Sequence, residues 1–378
     1  MKYIDELSAG ELRGKRVLVR AGLDVPLDAM GAVADLFRVK QASATLRFLS
    51  AAGAKVIILS HIGRDSEASN EPVNRALKHH VPSVFIPDLL GPIAQHALSA
   101  MRDGEIAFLE NVRRDPREVK NDEGFAREIA ALGDIYVGDA FSAVHRTHAS
   151  IVGVPKFLPH YAGLLMRDEI RELNAARQPE SPSIAILGGA KFETKAPLIS
   201  RLLEKYDHLF IAGALANDVF KARGLEVGVS LVSKELPGPA VREHPHFVAP
   251  IDVTVERPDK QARVKKPDAV ERDEKIVDIG PDSIAHIAPL IAQAKVILWN
   301  GPTGLYESGY VSWTHAIAQM VGKAVEGGAK AVIGGGDTIA AIQESGVPET
   351  SLGFLSTGGG AMLEYLLKGT LPGIEALE

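Results

Sequence analysis

A chain of 378 residues is long enough for two domains of ordinary size. With 46% hydrophobic and 24% charged residues it has the composition of a globular protein with substantial cores. It contains no cysteine, which excludes disulfides, thiolate catalysis and cysteine metal sites, and its net charge of -6 argues against a broad nucleic-acid-binding surface. No apolar run is long enough to span a bilayer, and the mixed, charged start lacks the apolar core of a signal peptide. The cytoplasm is the expected location, with no nucleic-acid or membrane partner.

In chain order, β-rich apolar runs at residues 16–20, 55–60, 84–87, 106–109 and 135–137 read as strands. Residues 39–52 carry apolar side chains at helical spacing and stop at Gly53. Asn121 stands as the expected N-cap of a helix holding Phe125, Ile129 and Leu132. A charged amphipathic stretch at 166–178, running into Pro179 and Pro182, divides the chain as a connecting helix. Beyond it, strands are expected at 183–187, 208–212, 247–255, 295–299, 330–333 and 354–356. Helices are expected at 192–205, 283–294, 312–326 and 338–345. Continuous apolar strands separated by helices predict an α/β protein of two doubly wound, mostly parallel-sheet domains, with ligands at the carboxyl ends of the strands.

The strand ends of the first half bear cations. They read Arg20-Ala21-Gly22-Leu23-Asp24, Ser60-His61-Ile62-Gly63-Arg64, Glu110-Asn111-Val112-Arg113, and Asp139-Ala140-Phe141-Ser142-Ala143-Val144-His145-Arg146. Arg38 stands at a helix start, where a cation opposes the helix dipole. Guanidinium forks fit phosphate and carboxylate. Taken singly, each of these residues is equally well a surface charge. Their repetition after strands favours gathering of Arg38, His61, Arg64, Arg113 and Arg146 around an anion. His61, His145 and His148 lack the carboxylate and cysteine partners of a metal site.

Three glycine turns mark the second half: Gly188-Gly189-Ala190-Lys191, Gly334-Gly335-Gly336-Asp337-Thr338, and Thr357-Gly358-Gly359-Gly360. Each lies between a predicted strand and a helical segment. A helix N-terminus presents unpaired N–H groups and positive potential, which suit phosphate. Lys191 and Lys195 share a helix face, an unfavourable pairing unless an anion lies between them. Asp337 is either a ligand for Mg²⁺ bridging nucleotide phosphates or a plain helix N-cap. The glycine-rich, apolar loop from Trp299 to Glu307 suits a nucleobase, with Glu307 as acceptor for ribose hydroxyls. An anion pocket in one half and a nucleotide-phosphate pocket in the other suit phosphoryl transfer in a closing cleft.

Together and in this order, these motifs, with Trp299-Asn300-Gly301-Pro302, resemble the phosphoglycerate kinase family almost end to end. The resemblance implies a phosphoglycerate-binding domain at 1–165, a connecting helix at 166–178 and a nucleotide-binding domain at 179–360. It also implies a hinged cleft and a segment at 361–378 that returns to the first domain. It implies a monomeric phosphotransferase of glycolysis and gluconeogenesis. The reaction would move a phosphoryl group reversibly between 1,3-bisphosphoglycerate with ADP and 3-phosphoglycerate with ATP, assisted by Mg²⁺. By matching position, His61, Arg64, Arg113 and Arg146, with His145 beside them, hold the 3-phosphate. Arg38 meets the reacting carboxylate and the transferring group. Lys191 and Lys195 are the nucleotide-side cations, and Asp337 is the magnesium ligand. Gly213, Asn300, Pro302, Leu305 and Glu307 fall at the nucleoside, and Gly334, Gly335, Gly336 and Thr338 at its phosphates.

The main departure is at the end of the first strand, where the family usually reads Arg-Val-Asp-Phe-Asn-Val-Pro. Here Gly22 replaces the aspartate and Asp24 the asparagine, residues associated with the glycerate hydroxyl and carboxylate. Asp24 is the expected acceptor for that hydroxyl. Gly138 stands where asparagine is usual, and Ala212-Gly213-Ala214 where a glycine triplet is usual. Two alternatives to the leading reading are a kinase for a related phospho-acid and a non-catalytic nucleotide-binding relative.

Overall fold

Six short apolar strands form the first sheet: β1 (Arg16–Ala21), β2 (Lys55–Leu59), β3 (Val84–Ile86), β4 (Ile106–Leu109), β5 (Ile135–Asp139) and β6 (His160–Ala162). In the computed structural model, which describes residues 1–378, all are parallel, in the order β3-β4-β2-β1-β5-β6. Val17, Leu18 and Val19 on β1 and Val56, Ile57 and Ile58 on β2 are fully buried although they point to alternate faces. Burial on both faces is why these strands read as unbroken apolar runs. β6 escapes the pattern because three residues, His160-Tyr161-Ala162, are too few to show a period. The chain runs from β1 outward to β2 and later returns to lay β5 along the other edge of β1. At such a reversal the loops leaving neighbouring strands diverge and open a crevice.

The second unit repeats the plan. Its strands are β7 (Ser183–Leu187), β8 (His208–Ile211), β9 (Phe247–Val248), β10 (Val253–Glu256), β11 (Ala262–Lys265), β12 (Lys275–Ile279), β13 (Val296–Asn300), β14 (Lys330–Gly334) and β15 (Phe354–Ser356). Six of them form a parallel sheet ordered β15-β14-β13-β7-β8-β9, whose reversal falls between β7 and β13. The other three form a small antiparallel sheet, β11-β10-β12. The single strand expected at 247–255 is therefore two strands in different sheets. Pro250, which has no N–H to give a ladder, lies between them.

Contacts divide the chain into Met1–Arg171 with Thr370–Glu378, and Glu172–Gly369. The boundary falls inside a continuous helix, Leu164–Arg177, where a connector at 166–178 was expected. The expected returning segment, 361–378, is shared between the units: helix Gly360–Lys368 belongs to the second, and only Thr370 onward packs with the first. There Leu371, Ile374 and Leu377 are buried, and Gly373 N–H donates to the Val144 carbonyl at 2.8 Å. Leu377 fills the space beside Gly138, where a Cβ would come within 2.7 Å of it. That contact explains a glycine where the family has asparagine. The helix over Phe125 is capped by Asp122, not Asn121: the Asp122 carboxylate accepts from Phe125 N–H at 2.8 Å. Asn121 has φ 51°, outside the extended region an N-cap requires. No helix is long and apolar enough to cross a membrane.

Asp139 ends β5 and caps the start of helix Leu164–Arg177, accepting from Met166 N–H at 3.1 Å. Gly163 has to be side-chain-free, because a Cβ there would meet the Asp139 carboxylate at 2.1 Å. Burial pushes the Asp139 carboxyl up to about 7, against hydrogen bonds from Thr45, Met166 and Leu165 that favour the ionised form. The folded value lies above the unfolded one of about 3.9. Its stabilising contribution is therefore complete below about pH 4 and is lost as pH rises to about 7. Urea unfolding of Asp139→Asn and wild type at pH 5 and pH 8 should show the variant gaining on wild type at the higher pH, by on the order of 2 kcal/mol.

Candidate active site

The loops leaving β1 and β5 meet at the first reversal, and cations line them. Arg20, the penultimate residue of β1, is 1% exposed. Its guanidinium donates to the Ala21 carbonyl (2.7 Å), to Ser150 Oγ (2.9 Å) and to His61 Nδ1 (2.7 Å). Ser150 Oγ in turn donates to Glu118 Oε1 at 2.6 Å, so a buried carboxyl faces Arg20 through one hydroxyl. Burial pushes Glu118 up and Arg20 down from their ordinary values, and their mutual attraction opposes both shifts. An unpaired charge here would be strongly disfavoured.

His61 sits at the centre. Arg146 Nη1 lies 3.0 Å from its Nε2, and Asp24 Oδ2 lies 3.4 Å from the same atom. Burial, with the charges of Arg20 and Arg113, lowers His61 to about 3, so the ring is neutral at physiological pH. A neutral imidazole accepts at only one nitrogen. One of the two guanidiniums around it is therefore short of an acceptor, as expected of a site built for an incoming anion. His148 is likewise lowered to about 4 by burial and by Arg113, Arg146 and Arg20. Arg113 donates to the Gly63 carbonyl and Arg38 to the Asp24 carbonyl. Arg146 Nε lies 3.3 Å from His145 Nε2. The Asp24 carboxylate accepts from Gly63 N–H at 2.9 Å. Burial would raise Asp24, but bonds from His61 and Gly63 and the nearby Arg38 outweigh it and hold the carboxyl below its ordinary value. Arg38, His61, Arg113, Arg146 and Asp24 thus belong to one linked network. Arg64 is exposed and stands outside it, with no hydrogen bond or ion pair.

In the second unit backbone, not side chains, shapes the site. β7 and β13 are followed by Gly188 and Gly301, which cross at the reversal. A Cβ on Gly188 would fall 2.1 Å from the Pro302 carbonyl oxygen, and one on Gly301 would fall 2.5 Å from the Gly188 carbonyl carbon. Only two glycines permit this approach. Gly213 completes it with φ 62°, its Cβ position 2.8 Å from Gly189 N. These turns wall a pocket of about 220 Å³ lined by Gly213, Ala214, Pro302, Leu305, Glu307 and Asp337, among others. Of the two added methyls in Ala212-Gly213-Ala214, only that of Ala214 faces this pocket; Ala212 is buried elsewhere.

Charge stands at the rim. Lys195 folds back on its helix and donates to the Gly188 carbonyl at 2.9 Å. Burial holds its ammonium below the ordinary value, opposed by the charge of Asp337. Lys191 is exposed and adopts φ 66°, a left-handed conformation that costs about 1–2 kcal/mol outside glycine and recurs at functional turns. Asp337 is exposed in the first turn of helix Gly336–Gln343, and Tyr306 OH donates to it at 3.2 Å. Asn300 and Thr338 are turned inward. Asn300 Nδ2 donates to the Gly334 carbonyl at 2.7 Å, and Thr338 Oγ1 accepts from Gly301 N–H at 2.7 Å. Both side chains brace the turn, and Thr338 offers a ligand only its backbone. Gly334 is buried against Met362, whereas Gly335 and Gly336 are accessible.

Sequence reasoning noted Arg20 at the strand end but gave it no role, and it passed over Glu118 and Ser150. An arginine inside an otherwise apolar strand was the available signal for Arg20. It also passed over Asp278 on β12, which burial pushes up to about 7 against bonds from Ile279, Thr303 and Trp313. A Cβ on Gly304 would come within 2.5 Å of that carboxylate, so Asp278 seats the loop after β13.

Two doubly wound α/β units, one with an arginine–histidine anion cradle and one with glycine turns at a helix N-terminus, define a phosphotransferase. The family profile described as phosphoglycerate kinase matches residues 5–369, and the chain belongs to that family. A phosphoglycerate kinase from Streptomyces avermitilis is 40% identical over 407 residues, covering all of both chains. One from Thermosynechococcus vestitus is 39% identical over 100% of this chain and 99% of its own. Among solved structures, phosphoglycerate kinase from Coxiella burnetii superposes with TM-score 0.81 at 34% identity, covering 99% of this chain and 98% of that one. The enzyme from Pyrococcus horikoshii OT3 gives 0.84 at 27%, covering 100% and 98%.

Replacing Arg20 by methionine removes the donor to His61 and leaves Glu118 buried without its counter-charge. Urea unfolding should show a loss of about 3–5 kcal/mol.

Proposed function

We propose that the chain transfers a phosphoryl group reversibly between the acyl phosphate of 1,3-bisphosphoglycerate and ADP, giving 3-phosphoglycerate and ATP. The observation that carries this is the linked network of Arg20, Arg38, His61, Arg113 and Arg146, with a guanidinium left short of an acceptor. A phosphorylated acid supplies the missing negative charge. His61, Arg113 and Arg146, with Arg64 and His145 at the margin, hold the remote phosphate, and Arg38 attends the reacting carboxylate. The glycine-walled pocket takes the nucleoside between Gly213, Pro302, Leu305 and Glu307. Its phosphates lie against the N-terminus of helix Gly336–Gln343, near Lys191 and Lys195.

The attacking group is a carboxylate, already ionised at neutral pH, so no general base is required. The chain's work is alignment and charge. Transfer needs the reacting atoms within about 3–3.5 Å, and Arg38 of the first unit and Lys195 of the second are the cations offered to the equatorial oxygens as they gain charge. Asp337 fits a magnesium site of the usual sparse kind: one exposed carboxylate beside the phosphate turn, the other ligands coming from phosphate and water. Bound there, Mg²⁺ would offset the negative charge of the nucleotide's phosphates. The protein is taken to work in the cytoplasm as a monomer, as its family resemblance implies.

A coupled assay with 3-phosphoglycerate and Mg-ATP tests this reading; no ADP formation at millimolar substrate overturns it. Arg38→Met and Lys195→Met should each lower kcat by about 100-fold or more. Asp337→Asn should raise the Mg²⁺ concentration needed for half-maximal rate.

Gly22 and Asp24 favour a second reading, in which a related phospho-acid is preferred. Screening small phospho-acids for a kcat/KM above that of 3-phosphoglycerate decides between them.

A further inference from the structure

We infer that Ser142 binds the 2-hydroxyl of the acid substrate, supplying the hydrogen bond that Gly22 leaves unmade, and so sets selectivity for a hydroxy-acid. The inference rests on the proposed reaction and identifies which residue reads the acceptor. The register of β1 on β5 pairs Ala21 with Asp139, so the residues that follow, 22 and 140–142, leave the sheet side by side. Gly22 is buried, and a Cβ built on it would lie 3.1 Å from Ser142 Oγ and 3.3 Å from Ala140 Cα. The hydroxyl of Ser142 thus borders the space that a side chain at position 22 would enter.

Ser142 is half-buried, and no protein group bonds its hydroxyl. It precedes His145 and Arg146 by one turn of chain. Two residues beyond Gly22, Asp24 has one oxygen on Gly63 N–H and the other facing His61. Asp24 is ionised and only accepts, whereas a serine hydroxyl both donates and accepts. A substrate hydroxyl needs one partner of each kind. It gives its proton to the Asp24 carboxylate, which has lone pairs to spare, and accepts from Ser142. The neutral Ser142 also adds no charge beside Asp24, whereas a carboxylate at 22 would repel both Asp24 and the substrate's own carboxylate.

The test compares 3-phosphoglycerate with 3-phosphooxypropanoate, the same acid without its 2-hydroxyl, each with Mg-ATP. Ser142→Ala should lower kcat/KM for 3-phosphoglycerate by roughly 3- to 10-fold and leave the deoxy acid within about twofold. The KM for ATP should not move. Gly22→Asp alone should lose activity with 3-phosphoglycerate, and the added Ser142→Gly, which clears the neighbouring hydroxyl, should restore part of it. Equal losses on both acids, or no loss on either, overturn the inference. Calorimetric binding of 3-phosphoglycerate to wild type and Ser142→Ala is measured alongside. Wild-type protein that neither binds nor turns over this acid overturns both the reaction and the inference. Wild type that does either, with Ser142→Ala indistinguishable from it, overturns the inference alone.

Discussion

Guanidinium groups repel one another, and the first unit holds several of them where water screens poorly. Arg20 is fully enclosed, and beyond the effect of burial the charge of Arg146 lowers the proton affinity of both Arg20 and Arg113. In a medium of reduced dielectric such crowding is costly. Much of the surrounding architecture serves to make it tolerable. Glu118 is carried into the core to face Arg20, Ser150 relays between them, and His61 stays neutral in their midst. The compensation stops short of completion on the crevice side. That residual imbalance leaves positive potential on the open side of the network.

The second unit reaches the same end by other means. Its binding surface is made of peptide groups brought together because side chains are absent at Gly188, Gly301 and Gly213. Peptide dipoles are fixed in place by the sheet and need no counter-charges. Few ionised groups are therefore required at the rim, and Lys195 leans on a backbone carbonyl of the same turn. A hydrogen-bonded arginine network suits a small acid. A rigid backbone wall suits a nucleotide whose phosphates all present similar oxygens.

The parallel sheets were legible because strands buried on both faces leave continuous apolar runs, as at Val17–Val19 and Ile184–Ile186. The turn at Gly188 was legible because close backbone approach there excludes every other residue, whereas a side chain at Gly336 or Gly360 would meet open space. The antiparallel β11 could not be seen, since Ala262-Arg263-Val264-Lys265 lies mostly exposed and carries no apolar signal. Inward rotation of Asn300 and Thr338 was hidden for a different reason: a sequence gives a polar residue's position but not the partner it chooses. Arg20 illustrates the converse. Its place in a buried strand was plain, but its importance depends on Glu118 and Ser150, nearly 100 and 130 residues away.

The packing of Thr370–Glu378 against β5 has a consequence for biosynthesis. The second unit is drawn from one unbroken stretch, Glu172–Gly369, whereas the first is closed by a segment that follows that stretch in the chain. The first unit is translated earlier yet is sealed later, when Leu377 reaches Gly138 and Gly373 reaches Val144. Until then Val144 and Ile151 border an unfilled apolar notch. The first unit is therefore the discontinuous one, and its closing segment is specified only after all of the second. Cleavage at Thr370 would leave every residue of the second unit in one piece and open that notch in the first.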